Sequence, residues 1–364
     1  MSLKCGIIGL TKVGKTTLFN CMSNIKAKTD AFDLGANKAN ISIINVPDRR
    51  LIELSKIQPT EKIVPATVEI VDIPGLTKSN KGDTTTNKFL SEIRNTDALI
   101  HVVRCFDDPL IPHVEESINP VRDIENIDFE LQIKDLESIE KKLEKLYKIA
   151  KAGDKNAQKN IVVFEKAKLE LENFRNLREV EFKEEEKNVL NELFLLTLKP
   201  VMYVCNIDQE SLHTSNKYVD DVKKFLENKK TEILVIAGKL EEEIAELENE
   251  NDRNAFLLDA GLDEPGVNKL IRAAYRLLDL ISFFTVGPKE IRAWTIKKGM
   301  NAQQAAGVIH SDLEKGFIRA EVIKYDDFIK YKSEHKIKEV GKLKLEGKTY
   351  IVEDGDILHI RFNI

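Results

Sequence analysis

The sequence has little of what marks secreted, membrane-spanning or strongly basic proteins. Its four cysteines are scattered over 364 residues with no C-x-x-C pair, which argues against a disulfide framework and predicts free thiols in a reducing compartment. No apolar run approaches the roughly 20 residues of a membrane span. We expect no signal peptide, because Met1-Ser2-Leu3-Lys4 runs directly into a predicted strand. A net charge of −5 gives no overall basic surface. We therefore expect a cytoplasmic protein of two or three domains with no membrane partner.

What the sequence does contain is a complete phosphate-binding motif near its start. Gly9-Leu10-Thr11-Lys12-Val13-Gly14-Lys15-Thr16 fits G-x-x-x-x-G-K-[ST], with a predicted strand before it and a predicted helix after it. A chance glycine-rich turn is the alternative, and the flanking elements disfavour it. In such a loop Lys15 reaches the terminal phosphates, where it serves catalysis, and the Thr16 hydroxyl binds Mg²⁺. The predicted nucleotide contacts of this loop are Gly9, Thr11, Lys12, Val13, Gly14, Lys15, Thr16 and Thr17.

A second motif, D-x-x-G, follows a predicted strand at Asp72-Ile73-Pro74-Gly75. The Asp72 carboxylate is placed to hold the magnesium shell through water, and the Gly75 N–H to sense a terminal phosphate. Leu76 stands where switch GTPases carry a glutamine, and a hydrophobic side chain cannot orient water by hydrogen bonding. His113 is the candidate for that task, because imidazole titrates near neutrality. Judged without its context, a lone histidine such as His113 is more often an ordinary surface residue.

The predicted base-reading segment is Asn206-Ile207-Asp208-Gln209. Guanine-specific enzymes carry N-K-x-D here, but Ile207 replaces the lysine and Gln209 the aspartate. An amide both donates and accepts, so it cannot select guanine as a carboxylate does. We therefore do not expect guanine specificity. The segment predicted to close the base pocket is Ala237, Gly238 and Lys239.

Short apolar runs alternate with helical patterns, which predicts an α/β fold with a mainly parallel sheet covered by helices. Residues 128–199 form a long, charged segment in which apolar residues recur at coiled-coil spacing. A turn is predicted near Gly153-Asp154. They predict an inserted helical hairpin, with a helical surface layer as the alternative. From Ile281 onward the sequence is β-rich. We predict a nucleotide-binding domain over 1–127 and 200–280, a helical insertion over 128–199 and a small β-rich α+β domain over 281–364.

These motifs together resemble one family, the Obg-like ATPases or YchF family, within the P-loop GTPase class. The resemblance covers nearly the whole chain. The segments that carry it are Asn87–Leu90, His101–Phe106, Arg272–Leu278, Arg292–Gly299, Ala305–His310, Glu314–Val322 and Asp354–Asp356.

The resemblance implies a P-loop G domain, an inserted coiled-coil hairpin and a C-terminal TGS domain with an RNA-binding type of fold. It implies slow, Mg²⁺-dependent hydrolysis of ATP to ADP and phosphate, with GTP as the alternative nucleotide. The implied partner is the ribosome, as its large subunit or 70S-type particle, with RNA contacted through the TGS domain. Asn206 and Gln209 match the family's N-x-x-E, with glutamine for glutamate. Leu76 matches its hydrophobic switch residue and His113 its proposed water-positioning histidine.

Three features depart from the family, and the first two favour a second function, a nucleotide-sensing RNA or ribosome adaptor with little hydrolysis. Ala36 lies near the position of the family's metal-binding threonine. The second switch, at residues 82–87, lacks two glycines of the family. Lys12 replaces an asparagine that ligates K⁺ in potassium-activated relatives, so we expect turnover that does not depend on K⁺.

The C-terminal region interleaves basic and aromatic residues in a way that could engage RNA backbone and bases. The alternative is that the aromatics are core and the lysines form a solvated face. The residues concerned are Lys297, Lys298, Lys315, Arg319 and Lys324, with Trp294, Phe317 and Tyr325.

Overall fold

The computed structural model describes residues 3–24, 41–76 and 84–363. Contacts divide these residues into two compact units. Unit 1 contains residues 3–24, 41–42, 69–76 and 84–267, and unit 2 contains residues 43–68 and 268–363. The predicted three-domain division stays a prediction. The contacts add that residues 43–68, far from the C-terminus in sequence, pack with the C-terminal residues.

Regular elements cover most of the described residues. The strands are β1 (Lys4–Ile8), β2 (Ile41–Asn45), β3 (Lys62–Val64), β4 (Thr67–Asp72), β5 (Ala98–Arg104), β6 (Val201–Asn206), β7 (Ile233–Ile236), β8 (Leu280–Val286), β9 (Glu290–Lys297), β10 (Phe317–Ile323), β11 (Lys344–Glu346) and β12 (Ile357–Phe362). The helices are α1 (Lys15–Ser23), α2 (Arg49–Ile57), α3 (Thr84–Arg94), α4 (Pro120–Lys151), α5 (Lys155–Glu172), α6 (Glu184–Asn191), α7 (Lys217–Leu226), α8 (Gly238–Glu246), α9 (Glu250–Asp259), α10 (Gly266–Leu277), α11 (Ala302–Ile309), α12 (Ser311–Lys315), α13 (Tyr325–Tyr331) and α14 (Glu334–Glu339).

The first sheet has the order β2-β4-β1-β5-β6-β7, and the pairs from β4 to β7 are parallel. Its central strands β5 and β6 are buried along their whole length, which is why they read as unbroken apolar runs. The carboxyl ends of β1, β4, β5 and β6 meet at one edge, so the loops that follow them lie together. All four cysteines are buried and carry reduced thiols, as predicted.

The inserted hairpin consists of α4 and α5 in unit 1. The turn lies where the sequence predicted it, because α4 ends at Lys151 and the Asp154 carboxylate caps α5 by accepting the Ala157 N–H at 2.8 Å. The hairpin has its own apolar core, and its fully buried members include Ile139, Phe164 and Ala167. α4 begins at Pro120, eight residues before the predicted insertion.

Unit 2 contains a sheet of order β11-β10-β12-β8-β9-β3. β8 and β9 are antiparallel, and β3 pairs in parallel with β9 from Lys62 opposite Glu290 to Val64 opposite Arg292. Asp356 is fully buried and accepts hydrogen bonds from Lys324 Nζ and Tyr350 Oη, each at 2.7 Å. These bonds fix the ends of β10 and β12.

The residues predicted to contact RNA fall into two groups in the structure, those with a role in the fold and those that are exposed. Phe317 is 4% exposed within the core of unit 2, and Lys324 is paired with Asp356 and Glu353, so both serve the fold. Lys297, Lys298, Lys315 and Arg319 are exposed. Among the described helices, none is both long and apolar enough to cross a lipid bilayer.

Candidate nucleotide-binding site

The phosphate-binding loop turns where only glycine fits. Gly9 has a φ of +150°, and a Cβ there would lie 2.5 Å from the Val102 carbonyl oxygen. Gly14 has a φ of +96°, and a Cβ there would lie 2.2 Å from Nδ2 of Asn206. Close packing against β5 and β6 therefore explains the two glycines of the motif, in addition to their positive φ angles.

The loop ends at the N-terminus of α1. Gly14 occupies the capping position and no side chain caps the helix, so the first-turn N–H groups are available to an anion. Lys12 precedes them in the left-handed region at a φ of +62°, with its side chain exposed. Successive N–H groups of such a turn form an anion-binding concavity. The geometry therefore fits a phosphate cradle.

Lys15 is 6% exposed and its ammonium group lies inside the loop. Nζ donates to the Leu10 carbonyl at 2.6 Å and to the Gly9 carbonyl at 3.2 Å. Burial lowers the pKa of Lys15 to about 8, and the nearby Asp72 carboxylate opposes this shift. Phosphate oxygens would supply the opposite charge that this buried ammonium lacks within its own loop.

Thr16 and Asp72 face each other across the loops after β1 and β4. The Thr16 hydroxyl donates to Asp72 Oδ2 at 3.0 Å, and Asp72 Oδ1 is buried with no partner. Burial raises the pKa of Asp72, opposed by the Thr16 bond and by Lys15. No group of three or more potential His, Cys, Asp or Glu ligands lies together in the described parts of the chain. The pair nevertheless fits Mg²⁺, which takes few protein ligands and keeps waters and phosphate oxygens.

The D-x-x-G segment lies directly against the phosphate-binding loop. The Leu76 N–H donates to the Gly9 carbonyl, and the Thr11 N–H to the Leu76 carbonyl, each at 3.2 Å. Gly75 directly precedes Leu76, and a Cβ there would be 2.6 Å from Lys15 Nζ. The Leu76 side chain is 6% exposed. The two motifs therefore form one continuous surface, and Leu76 is buried as an apolar residue.

Asn206 joins the phosphate-binding loop to the segment after β7. Its Nδ2 donates to the Val13 carbonyl and its Oδ1 accepts the Gly238 N–H, both at 2.9 Å. The side chain is 5% exposed, so these bonds are shielded from water. Asn206 therefore holds both predicted walls of the nucleotide site in one place.

The other predicted base contacts differ in exposure. Ile207 is 3% exposed and packs in the core, whereas Gln209 and Lys239 are exposed. Asp208 accepts the Ser211 N–H at 2.8 Å, which shapes the turn that carries Gln209. Ala237 is buried and precedes α8. The structure thus leaves the Gln209 amide free of any core role.

His113 lies in the segment between β5 and α4. Its ring nitrogen Nδ1 accepts the Glu115 N–H at 3.0 Å, and Nε2 lies 2.9 Å from Asp123 Oδ2. The side chain is 4% exposed. The three atoms nearest a Cβ on Gly75 belong to Lys15 and Thr11, not to His113. His113 is therefore engaged with its own loop and with α4 in this structure.

Two residues of this region did not stand out in the sequence. Arg104 is 2% exposed and donates to three loop carbonyls, those of Phe106, Asp108 and Ile111, at 3.1, 3.3 and 2.9 Å. Asp123 lies in the first turn of α4 and contacts His113. Arg104 ends a strand and Asp123 follows a helix-capping Asn-Pro pair, but neither signal predicts a contact with a histidine loop. The predicted positions Ala36, Gly82 and Asp83 lie outside the described residues.

Two family models match separate parts of the chain. A family model described as 50S ribosome-binding GTPase matches residues 4–166, and the model YchF-GTPase_C, described as a protein of unknown function (DUF933), matches residues 280–363. The Haemophilus ducreyi protein named ribosome-binding ATPase YchF is 46% identical over 365 residues, covering 100% of each chain. The chain belongs to the YchF family. The Bacillus subtilis YchF is 42% identical over 367 residues, again with 100% of each chain covered.

The fold agrees with membership of the YchF family. The solved YchF GTPase of Schizosaccharomyces pombe matches with a TM-score of 0.89 at 34% identity, covering 99% of this chain and 98% of that one. The resemblance inferred from the motifs is thus confirmed, and so is the α/β fold with its helical insertion and C-terminal β-rich region.

Proposed function

We propose that this chain is a Mg²⁺-dependent, ribosome-associated P-loop ATPase with slow turnover. The arrangement of Lys15, Thr16 and Asp72 carries the proposal, because it places a buried ammonium, a hydroxyl and an unpartnered carboxylate oxygen beside an uncapped helix N-terminus. The YchF relatives are named ribosome-binding ATPases, which supports the same activity here. A cytoplasmic location belongs to the proposal, since ribosomes are there.

The residues of the site divide the work between binding and charge stabilisation. The N–H groups of the loop and of α1 hold the β-phosphate region, and Lys15 meets charge that develops on the transferred phosphoryl group. Thr16 directly and Asp72 through water would hold Mg²⁺, which would neutralise the same charge when bound. The Gly75 N–H lies beside Lys15, where it can respond to the terminal phosphate.

We expect slow turnover from the state of the two residues considered for orienting water, Leu76 and His113. Leu76 is buried and offers no hydrogen bond to water. Both ring nitrogens of His113 are engaged, so His113 must change its contacts before it can orient a water molecule. We therefore assign His113 the water-orienting role in a conformation that differs from the resting one.

Phosphate release separates the ATPase from the adaptor function. We expect measurable release by the wild type, a large loss for Lys15→Ala and a clear loss for His113→Ala. His335→Ala is the matched control, since His335 has an 82% exposed side chain on α14. A wild type that releases no more phosphate than Lys15→Ala would support the adaptor, which the engaged His113 also favours. Turnover by His113→Ala equal to wild type would remove its catalytic role.

ATP preference rests on the exposed Gln209 amide. We propose that ATP binds more tightly than GTP, because no carboxylate at this position accepts the two N–H donors of guanine. Titration of both nucleotides tests this. Gln209→Asp combined with Ile207→Lys should shift the ratio toward GTP, and the matched variant Gln209→Glu should shift it less. An unchanged ratio in the double variant would mean that base choice is made elsewhere.

We propose that ribosome association involves the exposed lysines and arginine of the C-terminal region. The family resemblance assigns this region to a TGS domain. Lys297, Lys298, Lys315 and Arg319 are available to RNA phosphates, which bind through salt-sensitive contacts. Co-sedimentation with ribosomes should weaken in Lys297→Glu/Lys298→Glu. The control Lys336→Glu/Lys338→Glu reverses the same charge on exposed residues of α14. Equal loss in both would indicate a general charge effect.

A further inference from the structure

The loop that carries His113 is held from two sides, although it contains no helix or strand. On one side the Arg104 guanidinium donates to three carbonyls of residues 106–111. On the other side Asn119 caps α4, accepting the Arg122 N–H at 3.1 Å. His113 lies between these anchors. Its position therefore depends on local contacts rather than on a sheet or helix ladder.

The protonation of the imidazole follows from its two partners. The Glu115 backbone N–H is a donor only, so Nδ1 accepts and carries no proton. Nε2 therefore carries the proton and donates it to Asp123 Oδ2 at 2.9 Å. In this state neither nitrogen has a lone pair for a water proton, and the ring is shielded from solvent. The observed His113 is in a resting state.

Hydrogen bonds from Arg122 fix the orientation in which the Asp123 carboxylate contacts the His113 ring. While Oδ2 faces His113, Oδ1 accepts from Arg122 Nη2 at 3.0 Å and Nε at 3.3 Å. Arg122 is itself bonded to the Ser117 hydroxyl at 3.0 Å and to the Ser117 carbonyl at 2.6 Å. The carboxylate also lies in the first turn of α4, where the helix dipole favours negative charge.

We propose that Asp123 is a positioning residue that holds His113 in this resting orientation, and that the Nε2–Oδ2 hydrogen bond must break before His113 can orient the attacking water. This rests on the proposed function, because it assumes that His113 acts in hydrolysis. While the bond to Asp123 holds the His113 ring in this orientation, the ring cannot orient water, and the rate of hydrolysis is lower. Removing the Asp123 carboxylate therefore speeds hydrolysis instead of slowing it.

Steady-state ATP hydrolysis by Asp123→Ala and Asp123→Asn tests the direction of the effect. We expect kcat about tenfold or more above wild type in Asp123→Ala, in line with loss of a charge-assisted hydrogen bond. KM for ATP should stay constant, because Asp123 is assigned no nucleotide contact. Asp123→Asn should give a smaller rise, since its amide oxygen still accepts from Nε2. Asp128→Asn is the matched control on the same helix, because Asp128 pairs with Arg178. Its kcat should equal that of wild type.

Two further measurements test whether the gain in turnover acts through His113. The double variant Asp123→Ala/His113→Ala should turn over like His113→Ala alone, because the gain acts through His113. ¹⁵N NMR of the histidine side chains should show His113 with its proton on Nε2 in wild type. In Asp123→Ala we expect a mixture of tautomers, because the released ring also leaves the Glu115 N–H that fixes the tautomer, and His113→Ala assigns the signals.

Each adverse result identifies what failed. A lower kcat in Asp123→Ala would overturn the proposal, because Asp123 would then orient His113 for catalysis. An unchanged kcat, with His113→Ala clearly impaired, would also overturn it while leaving the proposed function intact. Absence of wild-type turnover above Lys15→Ala would instead mean that the proposed function itself is wrong.

Discussion

The side chain of Asn206 ties together the two walls of the proposed nucleotide site, and Asn206→Ala removes both ties. The substitution leaves the Val13 carbonyl and the Gly238 N–H without their partner in a region that excludes water. We expect both the stability of unit 1 and its affinity for nucleotide to fall.

The expected magnitude follows from the number of bonds lost. Two neutral hydrogen bonds at about 1 kcal/mol each give a destabilisation of roughly 2 kcal/mol. In a unit of this size that lowers Tm by about 4–8 °C. A loop freed at Val13 must also be ordered again on binding, at about 1–2 kcal/mol. ADP affinity should therefore fall about 5-fold to 30-fold.

Calorimetric titration with ADP and a thermal melt measure the two effects on the same protein. Asn176→Ala is the matched control, because Asn176 is 2% exposed and accepts from Gln132 Nε2 at 3.0 Å within the helical insertion. It should lower Tm without changing ADP affinity. If Asn206→Ala and Asn176→Ala gave the same ADP affinity, the loop would not depend on Asn206 for its order, and the reasoning would be wrong.

Three further predictions concern the metal, the histidine loop and unit 2. Asp72→Asn should raise the Mg²⁺ concentration for half-maximal turnover about tenfold or more, because an amide oxygen carries no charge. Glu69→Gln on the same strand should not, since Glu69 pairs with Lys4 at the far end. Arg104→Lys should increase proteolysis between residues 106 and 112, because an ammonium group cannot reach three carbonyls, and unchanged cleavage would argue against this anchor. Arg50→Ala should destabilise unit 2 by about 2 kcal/mol in a denaturant titration, because Arg50 bonds Asp354 at 2.8 Å and lies over the Phe284 ring. Arg49→Ala, at an exposed neighbour, should have little effect.

Much of unit 1 could be predicted from local pattern. Its strands are buried on both faces, so the apolar runs at 98–103 and 201–205 matched β5 and β6 to within one residue. The turn of the hairpin was equally visible, because Gly153 and Asp154 have the chemistry of a helix end and a helix cap. The phosphate-binding motif needs specific residues at fixed spacing, which is why the string alone located it.

The rest depends on contacts that no local pattern encodes. Asp123 contacts His113 only because the loop folds back onto the first turn of α4. β3 has three residues, two of them exposed, and its partner β9 lies more than two hundred residues later. Pairing at such separation leaves no periodic signal near either strand. The packing of residues 43–68 with residues 268–363 therefore has no counterpart in the local sequence pattern.

The pairing of β3 with β9 also has a consequence for the newly made chain. Val64 is synthesised 228 residues before Arg292, its neighbour on the partner strand. At roughly 5–20 residues per second, β3 waits about 11–45 s for the strand that completes its sheet. During that interval its backbone donors and acceptors remain open to other strands. Until β9 has been made, this early segment is therefore exposed to incorrect strand pairing.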